Sequence, residues 1–341
     1  MVNLSTGPVS ISPQVLKALH DAPISHRSPV FKKLYHRTTG LLSEAFNVRQ
    51  TFLLTGSGTL ANEVMLNEIK NLHKKGLILS NGEFGNRLVE QARRHQLSFD
   101  TYSIEWGRKF DTGTIKKRLE QNDVHWILFC HCETSTGVIN ELQTIIALSK
   151  PFHCACFVDC MSTVGTMHLD LAGVSMATAS SGKGLASVPG LAIVFSNMDL
   201  VEKKEGPVYI DLSHYAKNDG IPFTISSNLV KALSVSIQQK LQPAQFQFIQ
   251  YYGERIFETL NKKEIVPFSN AHSKVFTIVI PGDAGLHFNR HMKQNKLLLS
   301  SESEYLKCRQ WQQLAGFGYY RESELEYVLK VLNFSQNLTI C

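Results

Sequence analysis

Along the first fifty residues, apolar positions recur at helical spacing behind two serine–proline pairs. Ser12-Pro13 and Ser28-Pro29 each put a side-chain acceptor in front of a proline, the order found where helices start, and they predict helices over 13–20 and 29–46. From Gln50 the pattern changes to short apolar runs alternating with stretches of helical period. The runs at 50–54, 77–79, 99–104, 125–130 and 154–158 read as strands, and 58–73, 84–95, 112–121 and 140–149 read as the helices between them. Strands apolar on both faces and separated by helices predict a parallel sheet covered on both sides. After Val158 the rhythm breaks: apolar pieces at 176–180 and 191–195 follow with little helix between them, which predicts an antiparallel edge or an insertion. A helical stretch over 226–260 then leads to a strand at 274–280, a helix at 285–294 and a closing helix at 322–333. The division expected is a large α/β domain of residues 1–235 and a small α+β domain of residues 236–341, entered through the long helix.

Composition narrows the class. The chain has 341 residues, 43% hydrophobic and 19% charged, enough for one large core and a smaller one, which excludes disordered and collagen-like chains. Net charge is +6, but the basic residues are scattered, and Lys116-Lys117-Arg118 sits on a helix-like stretch beside acidic residues. Such a balance reads as a solvated surface rather than a nucleic-acid face, and its modest positive field suits an anionic ligand. No apolar run approaches the length of a membrane span and the N-terminus lacks a signal-peptide pattern, so a soluble cytoplasmic protein without membrane contact is expected. Of the seven cysteines, Cys130, Cys132, Cys154, Cys156 and Cys160 fall in or beside strand-like runs. Their C-x-C spacing inside strands reads as buried reduced thiols, with no metal site.

Three features carry chemistry. Thr55-Gly56-Ser57-Gly58-Thr59 lies between a strand and a helix, where glycines let backbone N–H groups approach an anion and the helix start adds a positive end. Gly56, Gly58 and Ala61 also fit a dinucleotide-binding pattern, and a ligand-free tight turn is a third reading. The dinucleotide reading expects an acidic residue after the next strand, where Ser80-Asn81 stands instead. Asp159 ends the run Cys156-Phe157-Val158 at the carboxyl edge of a strand, where ligands bind in such sheets. It suits a protonated pyridine nitrogen, or else caps the following turn. Lys183 follows in Ser180-Ser181-Gly182-Lys183-Gly184, flanked by glycines in a lightly charged stretch. Buried there its pKa falls, which is what a covalently acting lysine requires.

A Gly/Ser turn opening a helix, a strand-end aspartate and then Ser-x-x-Lys resembles the fold-type I pyridoxal-phosphate enzymes. Gly7-Pro8, His26-Arg27, Asn81-Gly82-Glu83-Phe84-Gly85-Asn86-Arg87 and Glu133-Thr134-Ser135-Thr136-Gly137 are similar, in that order, to segments of the class V aminotransferase branch that contains alanine–glyoxylate, serine–pyruvate and 2-aminoethylphosphonate–pyruvate aminotransferases. The resemblance runs from about residue 4 to 235. It implies a pyridoxal 5'-phosphate cofactor held by Lys183 as a Schiff base, with Asp159 on the ring nitrogen. It further implies Ser57, Gly58 and Thr59 at the phosphate, Phe84 and Met161 on opposite ring faces, and Thr134 near the ring substituents or the phosphate. Thr224 would reach the phosphate of a neighbouring subunit, making a homodimer, and Gly7 would lie at the substrate. Gly182 stands where several relatives have a glutamine, so the phosphate loses a side-chain donor.

The implied activity is transfer of an amino group from a small donor to a 2-keto acid such as pyruvate or glyoxylate. Other readings are a lyase or desulfurase of the same fold, a non-catalytic homologue, and a dinucleotide-dependent oxidoreductase. A desulfurase needs a nucleophilic cysteine on a mobile loop late in the chain, where only Cys308 and Cys341 lie. The branch carries an arginine for the substrate carboxylate before a glycine-rich turn, and Trp311 occupies that place here. Arg309 lies two residues earlier, on the same face as Trp311 if the segment is a strand. Either it takes over the clamp, the reading favoured, or the carboxylate site is lost and the donor is something other than a simple amino acid, or there is none. Arg321 is expected to be solvated at the start of the closing helix.

Overall fold

The computed structural model describes residues 1–121, 123–202, 206–270 and 272–334. Seven strands form one sheet in the order Phe99–Ser103, Gly76–Ser80, Trp126–Cys130, Ala155–Asp159, Met176–Ser180, Leu191–Ser196, Gln50–Thr55. The first five pair in parallel, and Leu191–Ser196 runs against both its neighbours. Gly76–Ser80 and Trp126–Cys130 are buried at every position, which is why they read as unbroken apolar runs. The expectation of an antiparallel edge needs correcting, because the reversed strand lies one place in and Gln50–Thr55 is the edge. The segment 181–190 is too short for a crossover helix, so the chain turns back beside the strand it has just left.

Helices cover both faces. Phe31, Tyr35 and Leu42 of Pro29–Phe46, Leu119 of Thr112–Gln121 and Leu233 of Ser227–Lys240 pack on one side. Val64 and Met65 of Gly58–Lys70 and Leu88 of Glu83–Arg94 pack on the other. Both serine caps form: Val15 N donates to Ser12 Oγ and Phe31 N to Ser28 Oγ, each at 3.2 Å. The stretch 226–260 is two helices rather than one, Ser227–Lys240 and Pro243–Asn261. Pro243 has no N–H to continue the first helix, and its fixed φ starts the second.

A second core gathers Tyr252, Ile256, Phe276, Phe288, Leu314 and Val328 around the antiparallel pair Val275–Val279 and Trp311–Ala315. Leu4 belongs to it as well. Val2–Asn3 pairs with Leu297–Leu298, Ala315 N donates to Leu4 O at 2.7 Å, and Tyr319 N donates to Ser10 O at 2.9 Å. The N-terminal residues thus form a strap that runs from this core toward the carboxyl ends of the large sheet. Arg309 is not on a strand. It ends the helix Glu304–Arg309, and Gln310 turns left-handed (φ 56°) before the strand opens at Trp311. The period-two argument linking Arg309 to Trp311 therefore fails, because a helix end separates them. Among the described residues, no helix is long and apolar enough to cross a membrane.

Lys240 joins the two parts. It is 1% exposed and donates to Phe317 O at 3.0 Å and Gly318 O at 3.2 Å. Burial pulls its amine down from 10.5 to about 7. Between those values the folded chain binds fewer protons than the unfolded one, so this lysine's contribution to stability grows as pH rises through the window. The melting temperature of the ligand-free chain, minus that of Lys240→Met, should therefore increase from pH 7 to about 10. Parallel melting curves for the two proteins across that range would contradict the assignment.

Candidate active site

The carboxyl ends of the strands open into a cavity of about 260 Å³, and most of the residues singled out by sequence line it. Asp159 closes Ala155–Asp159 and is 6% exposed. Asn62 Nδ2 donates to its Oδ2 at 2.8 Å and Met161 N to its Oδ1 at 2.9 Å, while Thr178 Oγ1 donates to Asn62 Oδ1 at 2.6 Å. Burial pushes the carboxyl up from its ordinary range, and these hydrogen bonds offset part of the rise. No cation pairs directly with it among the described residues.

Lys183 follows Met176–Ser180 and donates from Nζ to Thr6 O at 2.6 Å. Burial brings its amine down to about 8, against the pull of the Asp159 charge and with help from Arg87. The strap passes so close that a Cβ on Gly7 (φ 142°) would lie 3.0 Å from the lysine's Cδ, Cε and Nζ. Glycine is needed there for both reasons.

Ser57, Gly58 and Thr59 start the helix Gly58–Lys70, and the Ser57 side chain makes no capping bond, leaving first-turn N–H groups for another acceptor. A Cβ on Gly58 would meet Met161 Sδ at 2.5 Å, so only glycine lets Met161 pack there. Phe84 sits at the start of Glu83–Arg94. That helix end is held by Glu133, whose buried carboxylate accepts from Phe84 N at 3.3 Å and Gly85 N at 2.9 Å. Thr134 Oγ1 pairs with Ser162 Oγ at 2.6 Å. At Gly182 a Cβ would lie 2.8 Å from Pro189 Cγ, so the proline ring fills the space a larger side chain would need.

Two expected site residues lie elsewhere. Thr224 is exposed and lines a separate small hollow with Tyr209 and Phe223. Arg309 is exposed and does not line the cavity; its guanidinium stacks 3.9 Å from the Trp106 ring centre and 5.0 Å from that of Trp311. Arg321 is exposed and pairs with Glu324 at 3.1 Å, as expected. The five strand cysteines are free and buried, and Cys308 is exposed on the helix Glu304–Arg309; Cys341 lies outside the described residues.

Against known proteins, residues 11–210 match the profile of aminotransferase class-V. The chain belongs to the class-V aminotransferase family. It is 29% identical over 249 residues to an uncharacterized aminotransferase of Methanocaldococcus jannaschii, covering 69% of this chain and 65% of that protein. It is 31% identical over 252 residues to the L-aspartate–glyoxylate aminotransferase of Paracoccus denitrificans, covering 69% and 63%. The alignments thus span less than two thirds of either relative. The solved alanine–glyoxylate aminotransferase of Nostoc sp. superposes with a TM-score of 0.86 at 24% identity, over 98% of this chain and 94% of that one. The aspartate aminotransferase of Thermus thermophilus gives 0.85 at 23% identity, over 98% and 99%. The fold is therefore that of the fold-type I aminotransferases.

In this class-V chain several residues shape the cavity that sequence reading left without a role. Asn62 and Gln91 line it, as does Arg87, the last residue of the quoted Asn81–Arg87 motif, which was a signal that could have been followed. Gln313, fully buried, donates to Thr134 O and to Thr277 Oγ1 at 2.9 Å and accepts from Tyr305 OH at 2.8 Å. Nothing in its local sequence marks it.

The Asn62 contact can be checked in the ligand-free chain. Asn62→Leu removes one of two donors from a buried carboxylate and should lower unfolding stability by about 1–3 kcal/mol, read from urea denaturation midpoints. An unchanged midpoint would show that Asp159 is satisfied without it.

Proposed function

We propose that this chain is a pyridoxal 5'-phosphate-dependent aminotransferase that moves an amino group from a small amino donor to a 2-keto acid such as pyruvate or glyoxylate. The observation that carries the reading is the pairing, in one cavity, of a buried lysine with a lowered pKa and a buried, oriented carboxylate that has no direct cationic partner among the described residues. The cavity suits the cofactor: Asp159 has acceptor capacity for a protonated ring nitrogen, and the helix start at Ser57, Gly58 and Thr59 has N–H groups for a phosphate. Phe84 and Met161 would hold the ring faces, Thr134 a ring substituent, and Lys183 the cofactor itself through Nζ. When bound, pyridoxal phosphate supplies an electron sink for negative charge developing at the donor's α-carbon.

The chain's own part is to place charge and move protons. Asp159, kept in one orientation by Asn62 and the Met161 N–H, would hold its proton partner on the ring nitrogen. With an amine near 8, Lys183 is neutral in roughly one molecule in ten at pH 7, against about one in three thousand for an ordinary lysine. Freed when the donor's amine takes its place on the cofactor, its Nζ would take the proton from the donor's α-carbon and deliver it on the cofactor side, as amino transfer requires. The strap, with Gly7 over the lysine, would exclude water from that side and face the substrate.

The names of the relatives support the choice of acceptor, since one is an aspartate–glyoxylate aminotransferase and another, from Lysinibacillus sphaericus, a 2-aminoethylphosphonate–pyruvate transaminase. We place Thr224 at the phosphate site of a second copy in a homodimer. Its exposure beside the exposed apolar Val208 and Tyr209 supports this. Residues 236–341 would form a small domain, and Arg309, presented by its aromatic stack, would meet the donor's carboxylate at the mouth. The reaction is placed in the cytoplasm, on small molecules rather than nucleic acid or membrane.

A screen of alanine, serine, aspartate and 2-aminoethylphosphonate against pyruvate and glyoxylate tests the reading through the absorbance of the bound cofactor. At least one donor should bleach that band and one acceptor restore it. Asp159→Asn should retain cofactor and lose turnover, whereas full turnover in that variant would refute the electronic role. Half-saturation unchanged in Arg309→Ala would remove Arg309 from the carboxylate site.

A further inference from the structure

Arg87 has no task in the reaction described above. Apart from Lys183, it is the only lysine or arginine among the described residues lining the cavity. Its guanidinium lies 4.8 Å over the Phe84 ring centre, and its ion pair with Glu83, at 3.4 Å, has side chains 46% and 31% exposed. A pair so long and so wet holds a side chain weakly. One turn further along the same helix is Gln91, 6% exposed and also lining the cavity, and its Oε1 has no hydrogen-bond partner. The amide is fixed in that orientation, because Nε2 donates to Glu63 Oε1 at 2.6 Å and Glu63 Oε2 pairs with His95 Nε2 at 2.5 Å. A buried acceptor left open is costly until a donor reaches it.

Side chains four apart on a helix are neighbours, so an Arg87 turned inward can give one N–H to Gln91 Oε1 and keep the rest of its fork for a ligand. We propose that Arg87, seated by Gln91, is an anion-binding residue of the cavity. Its ligand is an oxyanion, either the phosphate of the cofactor or an anionic group of the amino donor. Two further features favour the assignment. At Gly182 the chain offers no side-chain donor and Pro189 fills the space, so among the described residues of the cavity wall the only cations for a phosphate at Ser57–Thr59 are Lys183 and Arg87. The Arg87 charge already reaches the site, since it lowers both the Lys183 amine and the Asp159 carboxyl. A planar fork is also the group best matched to phosphate and carboxylate oxygens.

The inference rests on the cofactor reading, and the test separates the two. Dissociation constants of inorganic phosphate, pyridoxal phosphate and pyridoxal are measured by calorimetry on the cofactor-free full chain, wild type and Arg87→Met, with Arg87→Lys as the charge-retaining variant. The side chain is half exposed, so both variants should fold, and their unfolding midpoints check this. If the cofactor's phosphate is the ligand, Arg87→Met binds pyridoxal phosphate and inorganic phosphate roughly tenfold more weakly, binds pyridoxal unchanged, and Arg87→Lys falls between. If the donor supplies the anion, cofactor affinities stay equal and half-saturation of the loaded protein by 2-aminoethylphosphonate or aspartate rises roughly tenfold in Arg87→Met. Equal values for all of these in wild type and Arg87→Met overturn the proposal. A wild-type chain that binds inorganic phosphate through Arg87 but no pyridoxal phosphate would sink the cofactor reading and leave Arg87 as an anion site.

Discussion

A carboxylate kept buried, with no cation paired directly to it among the described residues, is the constraint on which the rest of this molecule depends. Asp159 sits at the end of a central strand, where its charge is expensive, and receives two hydrogen bonds, one from Asn62 and one from the Met161 backbone. Glu133, also buried, receives four: from Phe84 N, Gly85 N, Ser135 N and Ser135 Oγ. The comparison sorts the two acids by physics. Glu133 is used up in holding a helix start and presenting Phe84, while Asp159 keeps acceptor capacity facing a cavity.

The surroundings serve that arrangement. Thr178 fixes Asn62, which fixes Asp159, and all three stand on the sheet or on the helix that begins at the phosphate-type turn. The strap ties the opposite wall to the second core and brings the Thr6 carbonyl onto Lys183. Gln313 does the same for Thr134 from the C-terminal part, and Lys240 for the turn at Phe317-Gly318. Each tie crosses from one core to the other, so the cavity's shape is a property of the whole chain and not of one motif.

Much of this was legible in the sequence wherever local chemistry is sufficient. Strands buried on both faces announce themselves as unbroken apolar runs, and Ser-Pro pairs mark helix starts that the structure reproduces with side-chain caps at Ser12 and Ser28. The glycine-rich turn, Asp159 and Lys183 could be placed on one cavity because strand ends in a parallel sheet converge. What escaped depends on partners far apart in sequence. Asn62 and Thr178 meet across 116 positions, and the strap pairs through strands of two residues, too short to leave a period. The reversed strand's place in the sheet is set by the short connection before it, not by its own residues. Arg309 was misread because a left-handed Gln310 ends a helix where period-two alternation had been assumed.

The central claim is that Lys183 Nζ holds the cofactor. The direct measurement is peptide mass mapping after the protein is loaded with pyridoxal phosphate and reduced with borohydride. The account predicts the cofactor's mass on the peptide that contains Lys183 and on no other, and none in Lys183→Ala. A mass on another lysine, or no fixed cofactor in the wild type, would contradict it.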